Sequence, residues 1–261
     1  MSDNPAILLE LPEDAGGVAV LTLNRPERHN SLELADFEVG KALLAQAEAA
    51  GVRGLIVTGA GEKTFCAGAS LGDVGAGGGA AFVPGANPLT QFCDALEAFP
   101  APTVCSLNGG VYGGGVEIAL SCDFRVGGAG MKAFVPPARL GIHYEPSGID
   151  RAVRKLGAQV ARRMFLLVET LDAEGLERVG FLDRLVEKAE VAAVARGLAE
   201  TAAGFAPMAV QGMKRTIDEL SRRELDAEAA RARIAACWAS EDLQEGVAAM
   251  KEKRAPVFKG R

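Results

Sequence analysis

The chain has 261 residues, 49% of them hydrophobic and 24% charged, with a net charge of -6, enough apolar material for a sizeable core in one domain with a small appendage. Its pI near 5.2 and mean hydropathy of +0.14, with no Lys/Arg-dense block before the last dozen residues, exclude a nucleic-acid footprint. Cys66, Cys93, Cys105, Cys122 and Cys237 are scattered without a C-x-x-C or Cys/His cluster, and His29 and His143 are the only histidines. Disulfide scaffolds, structural zinc and Ser-His-Asp hydrolysis therefore have little to work with.

In chain order, "MSDNPAILLELPEDAGG" has acids where a secretory signal needs positive charge, and no later run reaches membrane-spanning length, so a cytoplasmic, reducing location is expected. "GVAVLTLNR" (17–25) predicts a strand, after which Asn30 and Glu33 have the spacing of a helix-capping pair before "LELADFEVGKALLAQAEAA". "GLIVTGAG" (54–61) is a β-branched run ended by glycine. The Gly/Ala-rich stretch 68–88 is expected to be a mobile loop, and a helix carrying Leu89, Phe92, Cys93 and Leu96 on one face follows it.

"PTVCSLNG" (102–109) predicts a strand leading through a glycine turn into a helix over 114–122. "FRVGGAG" reads as a strand, "SGIDRAVRKLG" and "AQVARRMFLLVET" as helices, "DAEGLERVGF" as a short helix and "LDRLVEK" as a strand. From Val191 to Met250 the pattern is helical, interrupted by "GFAP" (204–207) and broken near Ser240. The expected architecture is α/β, strands alternating with helices and a helical lobe at the C-terminus.

Two strand-turn-helix units are candidates for chemistry. In "KTFCAGASLGDV" (63–74) small residues flank Gly68, so a ligand can approach the main chain, and a helix starting near Ser70 would offer free N–H groups. Taken alone, a tight turn that needs small residues explains it as well. In "NGGVYGGGVEIALSCD" (108–123), five glycines precede a helix with Glu117 in its first turn. The helix dipole favours an acid there for structural reasons alone. Its apolar sequence neighbours, however, make an unpaired carboxylate costly, by roughly 2–7 kcal/mol, which points to proton-transfer work. Neither G-x-G-x-x-G nor a Walker A loop is reproduced. Two such turns converging on one carbonyl oxygen would stabilise an enolate or oxyanion.

Over essentially its full length the chain resembles the crotonase superfamily, the enoyl-CoA hydratase/isomerase group, through "VAVLTLNRPERHNSL", "GLIVTGAGEKTFCAGASL", "PTVCSLNGGVYGGGVEIALSCDFRV", "ARLGIHY" and "MKEKRAPVFKG". The resemblance implies a spiral of strand-strand-helix repeats over 1–200 and a C-terminal helical trimerisation region over 201–261, assembled as trimers or dimers of trimers. It implies an acyl-CoA thioester as substrate, coenzyme A entering only as part of it, with no metal, no tightly bound cofactor, no nucleic acid and no membrane. The thioester oxygen would be held by the N–H groups of Ala69 and Gly114. Coenzyme A would lie along Arg25, Arg28 and the segment Lys63–Leu71, with Ala67 near the adenine beside Gly68 and Ser70, and with Lys253 and Phe258 from the tail.

Glu117 matches the first of the two glutamates that flank a water in the hydratases. At the second position stands Pro137, or Ala138 under a shifted alignment, and Ser70 replaces the acid usual after "AGA". "LGIHYEPSG" offers Tyr144 and Glu145, with Asp150 farther on; Tyr144 is similar in position to a tyrosine of the methylmalonyl-CoA decarboxylase branch. Three readings follow: a hydratase/isomerase-type enzyme using Glu117, an enolate-forming decarboxylase in which Tyr144 matters, and a non-catalytic acyl-CoA-binding homologue.

Overall fold

The computed structural model of the chain describes residues 4–14, 16–70 and 87–261. Leu71, the helix expected to start near Ser70 and most of the expected loop 68–88 fall outside these residues. Strands β1 (Ile7–Glu10) and β2 (Val18–Leu23) form an antiparallel pair, Leu9 opposite Leu21. Helix α1 (Leu34–Ala49) buries Phe37, Gly40, Leu44 and Ala47, the i, i+3, i+7, i+10 stripe of an amphipathic helix.

Asn30 is not its cap. The helix begins after Glu33, whose N–H donates to Asp36 Oδ2 at 2.7 Å. Asn30 has a φ of 53°, outside the extended region an N-cap occupies. It is fully buried instead, accepting from Arg25 N at 2.9 Å and donating to the carbonyls of Ala60 at 3.0 Å and Thr64 at 2.8 Å. It thereby fastens the 25–30 turn to the next two strands.

Those strands are β3 (Gly54–Gly59) and β4 (Thr64–Cys66), followed by α2 (Pro88–Glu97). The next turn of the spiral is β5 (Thr103–Leu107), β6 (Gly110–Tyr112) and α3 (Gly114–Ser121), and the one after it begins with β7 (Phe124–Gly128) and β8 (Lys132–Phe134). Each turn gives one strand to each of two sheets. β3, β5 and β7 pair in parallel in a six-stranded sheet of order β1-β2-β3-β5-β7 with Arg184–Val186 beyond β7 at its edge, and β4, β6 and β8 pair in parallel in a four-stranded sheet. β6 was hidden in what reads as a glycine turn.

Helices α4 (Pro146–Leu156) and α5 (Ala158–Leu166) lead to β9 (Leu171–Asp172), α6 (Ala173–Arg178) and β10 (Arg184–Val186). Alternation along the larger sheet then divides the core. Ile56, Val104 and Val126 meet Val191, Ala195 and Ala199 of α7 (Val191–Ala203), whereas Leu55, Val57, Cys105 and Leu107 face the main core, in which α3 is wholly buried. The expected division at 200/201 falls in the last turn of α7, a helix seated on the sheet. Helices α8 (Pro207–Arg222), α9 (Ala227–Ala239) and α10 (Glu241–Glu252) follow. Among the described residues no helix is long and apolar enough to cross a membrane.

Candidate active site

The segments that carry Ala69 and Gly114 lie side by side. Residues 67–70 run beside 29–32, with Ala67 N donating to His29 O at 3.0 Å, Leu32 N to Gly68 O at 3.0 Å and Ser70 N to Leu32 O at 2.8 Å. Ala69 sits between these bonds as the bridge partner of Leu32, and among the described residues neither its N–H nor that of Gly114 has a hydrogen-bond acceptor. Gly68 turns the chain with a φ of 85°, and a Cβ built on it would come 2.5 Å from Gly114 N; one built on Gly114 would come 2.7 Å from Leu89 Cδ2 and 3.5 Å from Ala69 N. Only bare backbone permits this approach. Gly114 is also the first residue of α3, where N–H groups have no intrahelical partner.

Glu117 follows one turn later. It is 3% exposed and, contrary to the apolar isolation its sequence neighbours suggest, it is paired. Arg151 Nη1 donates to its Oε1 at 2.9 Å and the Tyr144 hydroxyl to its Oε2 at 2.8 Å. Its apolar neighbours in sequence pack into the core, while the carboxylate meets α4 and the residues before it. Burial pushes the Glu117 carboxyl above its usual range, with Arg151 and Tyr144 pulling against that rise. Burial and the adjacent Glu117 likewise push the Tyr144 phenol well up. Tyr144 is partly buried and packs edge-on against Phe165, ring centroids 5.2 Å apart.

Arg151 and Gly148 are site residues that sequence reasoning missed. A Cβ on Gly148 would meet Glu117 Oε2 at 2.8 Å, so the absence of a side chain lets α4 lie directly on the carboxylate. The signal available was the buried stripe Gly148, Arg151, Ala152 and Leu156, a helical face on which an arginine is out of place unless it has partners. Glu145 immediately precedes the first turn of α4, and Asp150 pairs with Arg154 at 2.7 Å on the exposed side. Pro137 opens a short turn to Leu140, and its neighbour Pro136 lies 3.7 Å from a Cβ built on Gly113. The position without a second carboxylate is therefore beside the α3 turn.

A family model described as enoyl-CoA hydratase/isomerase matches residues 13–261. The chain belongs to this family. It is 30% identical over 248 residues to a short-chain-enoyl-CoA hydratase of Clostridium acetobutylicum, covering 93% of this chain and 94% of the relative. It is 33% identical over 257 residues to a carnitinyl-CoA dehydratase of Escherichia coli, covering 94% and 96%. Among solved structures, an enoyl-CoA hydratase/isomerase family protein from Hyphomonas neptunium superposes with a TM-score of 0.90 at 29% identity, covering 98% of each chain. The spiral is thus the crotonase fold.

Of the residues expected to hold coenzyme A, one group is brought together. Arg25 bonds Asp36 at 3.1 Å, and Arg28, next to the paired segment 29–32, bonds Glu33 at 2.9 Å and Ser70 Oγ at 3.3 Å beside Ala67, Gly68 and Ala69. Lys63, at the far end of β4, instead lines a cavity of about 310 Å³ with Lys132, Lys188 and Tyr112. Lys253 caps the end of α10, and the Phe258 carbonyl accepts from Arg53 Nη2 at 2.9 Å. Arg53 precedes β3, whose six residues span roughly 20 Å, so one chain holds Phe258 at the strand end remote from Ala69.

Proposed function

We propose that this family member processes acyl-CoA thioesters by enolate chemistry of the hydratase type, with Ala69 and Gly114 N–H groups holding the thioester oxygen and Glu117 as acid and base. The observation that carries the reading is the meeting of two N–H groups without acceptors with a carboxylate one helical turn away on α3. In hydration, Glu117 takes a proton from water as the water oxygen bonds to the β-carbon. The α,β electron pair moves toward the thioester oxygen, where the two N–H groups stabilise the enolate. Glu117 then returns the proton to the α-carbon, giving net addition of water.

Both carboxylate oxygens accept a bond from protein, yet each keeps a second lone pair for this work. With Pro137 in place of a second carboxylate, the share of rate that a second acid/base supplies, ~10²–10⁴-fold, is expected to be missing. That loss, together with the Tyr144 hydroxyl on Glu117, favours decarboxylation as the second reading: the enolate would form by release of a carboxylate as carbon dioxide, in the same oxyanion hole. Crotonyl-CoA and methylmalonyl-CoA separate the two, by loss of the conjugated-enoyl absorbance and by carbon dioxide release. Turnover of neither, nor of any thioester in a broad panel, would leave acyl-CoA binding without catalysis.

Coenzyme A is proposed to run along Arg25, Arg28, Ala67 and Ser70, with Lys63 reaching its charged end. Self-association as a trimer or a dimer of trimers is proposed through the C-terminal helices. These leave Phe205, Met213, Ile217, Leu220, Ile234, Trp238 and Met250 more than half exposed, more large apolar surface than a free face keeps without a partner. Light scattering of the full chain checks this, with a monomer overturning it.

A further inference from the structure

A continuous run of ionic contacts reaches Glu117 from the C-terminal helices. Arg222 on α8 binds Glu97 at 2.9 Å, Glu97 accepts from Arg151 Nε at 3.2 Å, and Arg151 Nη1 binds Glu117 at 2.9 Å. Arg154 adds a third cation to Glu97 at 3.1 Å, and Asp94 takes the third arm of Arg151 at 2.7 Å. The side chains of Glu97, Arg151 and Glu117 are 2–3% exposed. We propose that Arg151 and Glu97 are positioning residues that fix both the direction and the charge of Glu117, and that Arg222 carries this control to the C-terminal helices.

The geometry of Arg151 makes the case. Its three nitrogens each face a different carboxylate, Nε to Glu97, Nη1 to Glu117 and Nη2 to Asp94, a planar fork that lysine cannot reproduce. Three carboxylates would overdraw one guanidinium. Arg154 and Arg222 settle the balance by engaging Glu97, so that Asp94, Glu97 and Glu117 meet three arginines. The charge of Arg151 is thereby left for Glu117. The ionisable groups that face Glu117 are Cys93 and Asp94 of α2, Tyr144 before α4 and Arg151 on it, and Glu97 is joined to it through Arg151. Among them Arg151 is the cation.

The relay fixes the sign of each shift expected at Glu117, and its role in positioning is read from the limb of kcat/KM that follows the same shifts. Removing the cation in Arg151→Met leaves burial unopposed and raises the Glu117 midpoint, by about one to three pH units for a partner at contact distance. Glu97→Gln deletes a neighbouring anion and frees Arg151, so the midpoint falls. Arg222→Gln, two contacts away, raises it by less than Arg151→Met.

The relay rests on Glu117 being the acid/base, and the test separates the two claims. In ¹³C-glutamate-labelled protein, the Glu117 carboxyl resonance, assigned by its loss in Glu117→Gln, is titrated in each variant; this needs no turnover. The alkaline or acid limb of kcat/KM is followed in parallel. Where Arg151→Met does not fold, Arg151→Lys and Glu97→Gln carry the test, since lysine keeps the charge but not the fork and should displace the midpoint upward by less. Opposite shifts for the arginine and Glu97 variants support the relay. A midpoint unmoved in folded Glu97→Gln and Arg222→Gln, or moved upward in Glu97→Gln, overturns it. Unchanged turnover in Glu117→Gln overturns the acid/base reading instead.

Discussion

On the wall of the site built by α2, α3 and α4, Glu117 is fixed at both oxygens by Arg151 and Tyr144 and pressed by the bare backbone of Gly148; on the wall opened by Pro136 and Pro137, the short turn carries one charged side chain, Arg139, which donates to Val168 O at 3.2 Å. One wall concentrates charge around the carboxylate proposed to move the proton, and the short turn of the other holds no acid. The oxyanion hole proposed at Ala69 and Gly114 would be made of backbone alone. On the proposed function, stabilising an enolate and moving a proton are separable tasks, and this chain would keep the first intact while carrying one of the two acids for the second.

The largest effect that would break this contrast is on the backbone. Gly68→Ala places a methyl 2.5 Å from Gly114 N on a residue with a φ of 85°, and is expected to cost ~10²–10³-fold in kcat, the worth of an oxyanion donor. Steady-state kinetics on whichever thioester the protein turns over measures it. Gly148→Ala strikes the charged wall, driving a Cβ into Glu117 Oε2 at 2.8 Å; about 1–3 kcal/mol of stability should be lost to overpacking, read by denaturant unfolding, with activity falling alongside.

Pro137→Glu sharpens the contrast by adding the missing acid to the bare wall. Hydration of crotonyl-CoA should rise by about tenfold, short of the ~10²–10⁴-fold of a fully positioned group. The smallest effect concerns stability. Burial resists the charge on Glu97, but Arg151, Arg154, Lys155 and Arg222 outweigh it and hold its carboxyl at about 2, below the usual 4.5. A depressed folded-state pKa contributes stability that is complete above pH ~4.5 and is lost as pH falls toward ~2. Unfolding midpoints measured across that window should fall for the native chain and fall less steeply for Glu97→Gln.

The sequence disclosed the backbone half of the site better than the charged half. Gly68 and Gly114 stand out because close approach excludes side chains, a local requirement visible in composition. The partner of Glu117 is invisible in that way: Arg151 lies 34 positions on, so the apolar run Ile118-Ala119-Leu120 suggested isolation where the fold provides a guanidinium. Strands β2, β3, β5, β7 and β10 were legible in the sequence, whereas β1 was not read as a strand and β4, β6, β8 and β9, two or three residues each, are too short to show a period and exist through pairing with their neighbours. Asn30 misled for a related reason. Its spacing to Glu33 is that of a cap, but the buried carbonyls of Ala60 and Thr64 claim its side chain.

The central claim is that Glu117 moves the proton while Ala69 and Gly114 hold the enolate. Its most direct test compares native protein with Glu117→Gln on a β-substituted or α,β-unsaturated acyl-CoA, turnover being followed optically and affinity by calorimetry on the same samples. The account predicts that turnover is lost and binding retained; turnover equal to that of the native protein would contradict it.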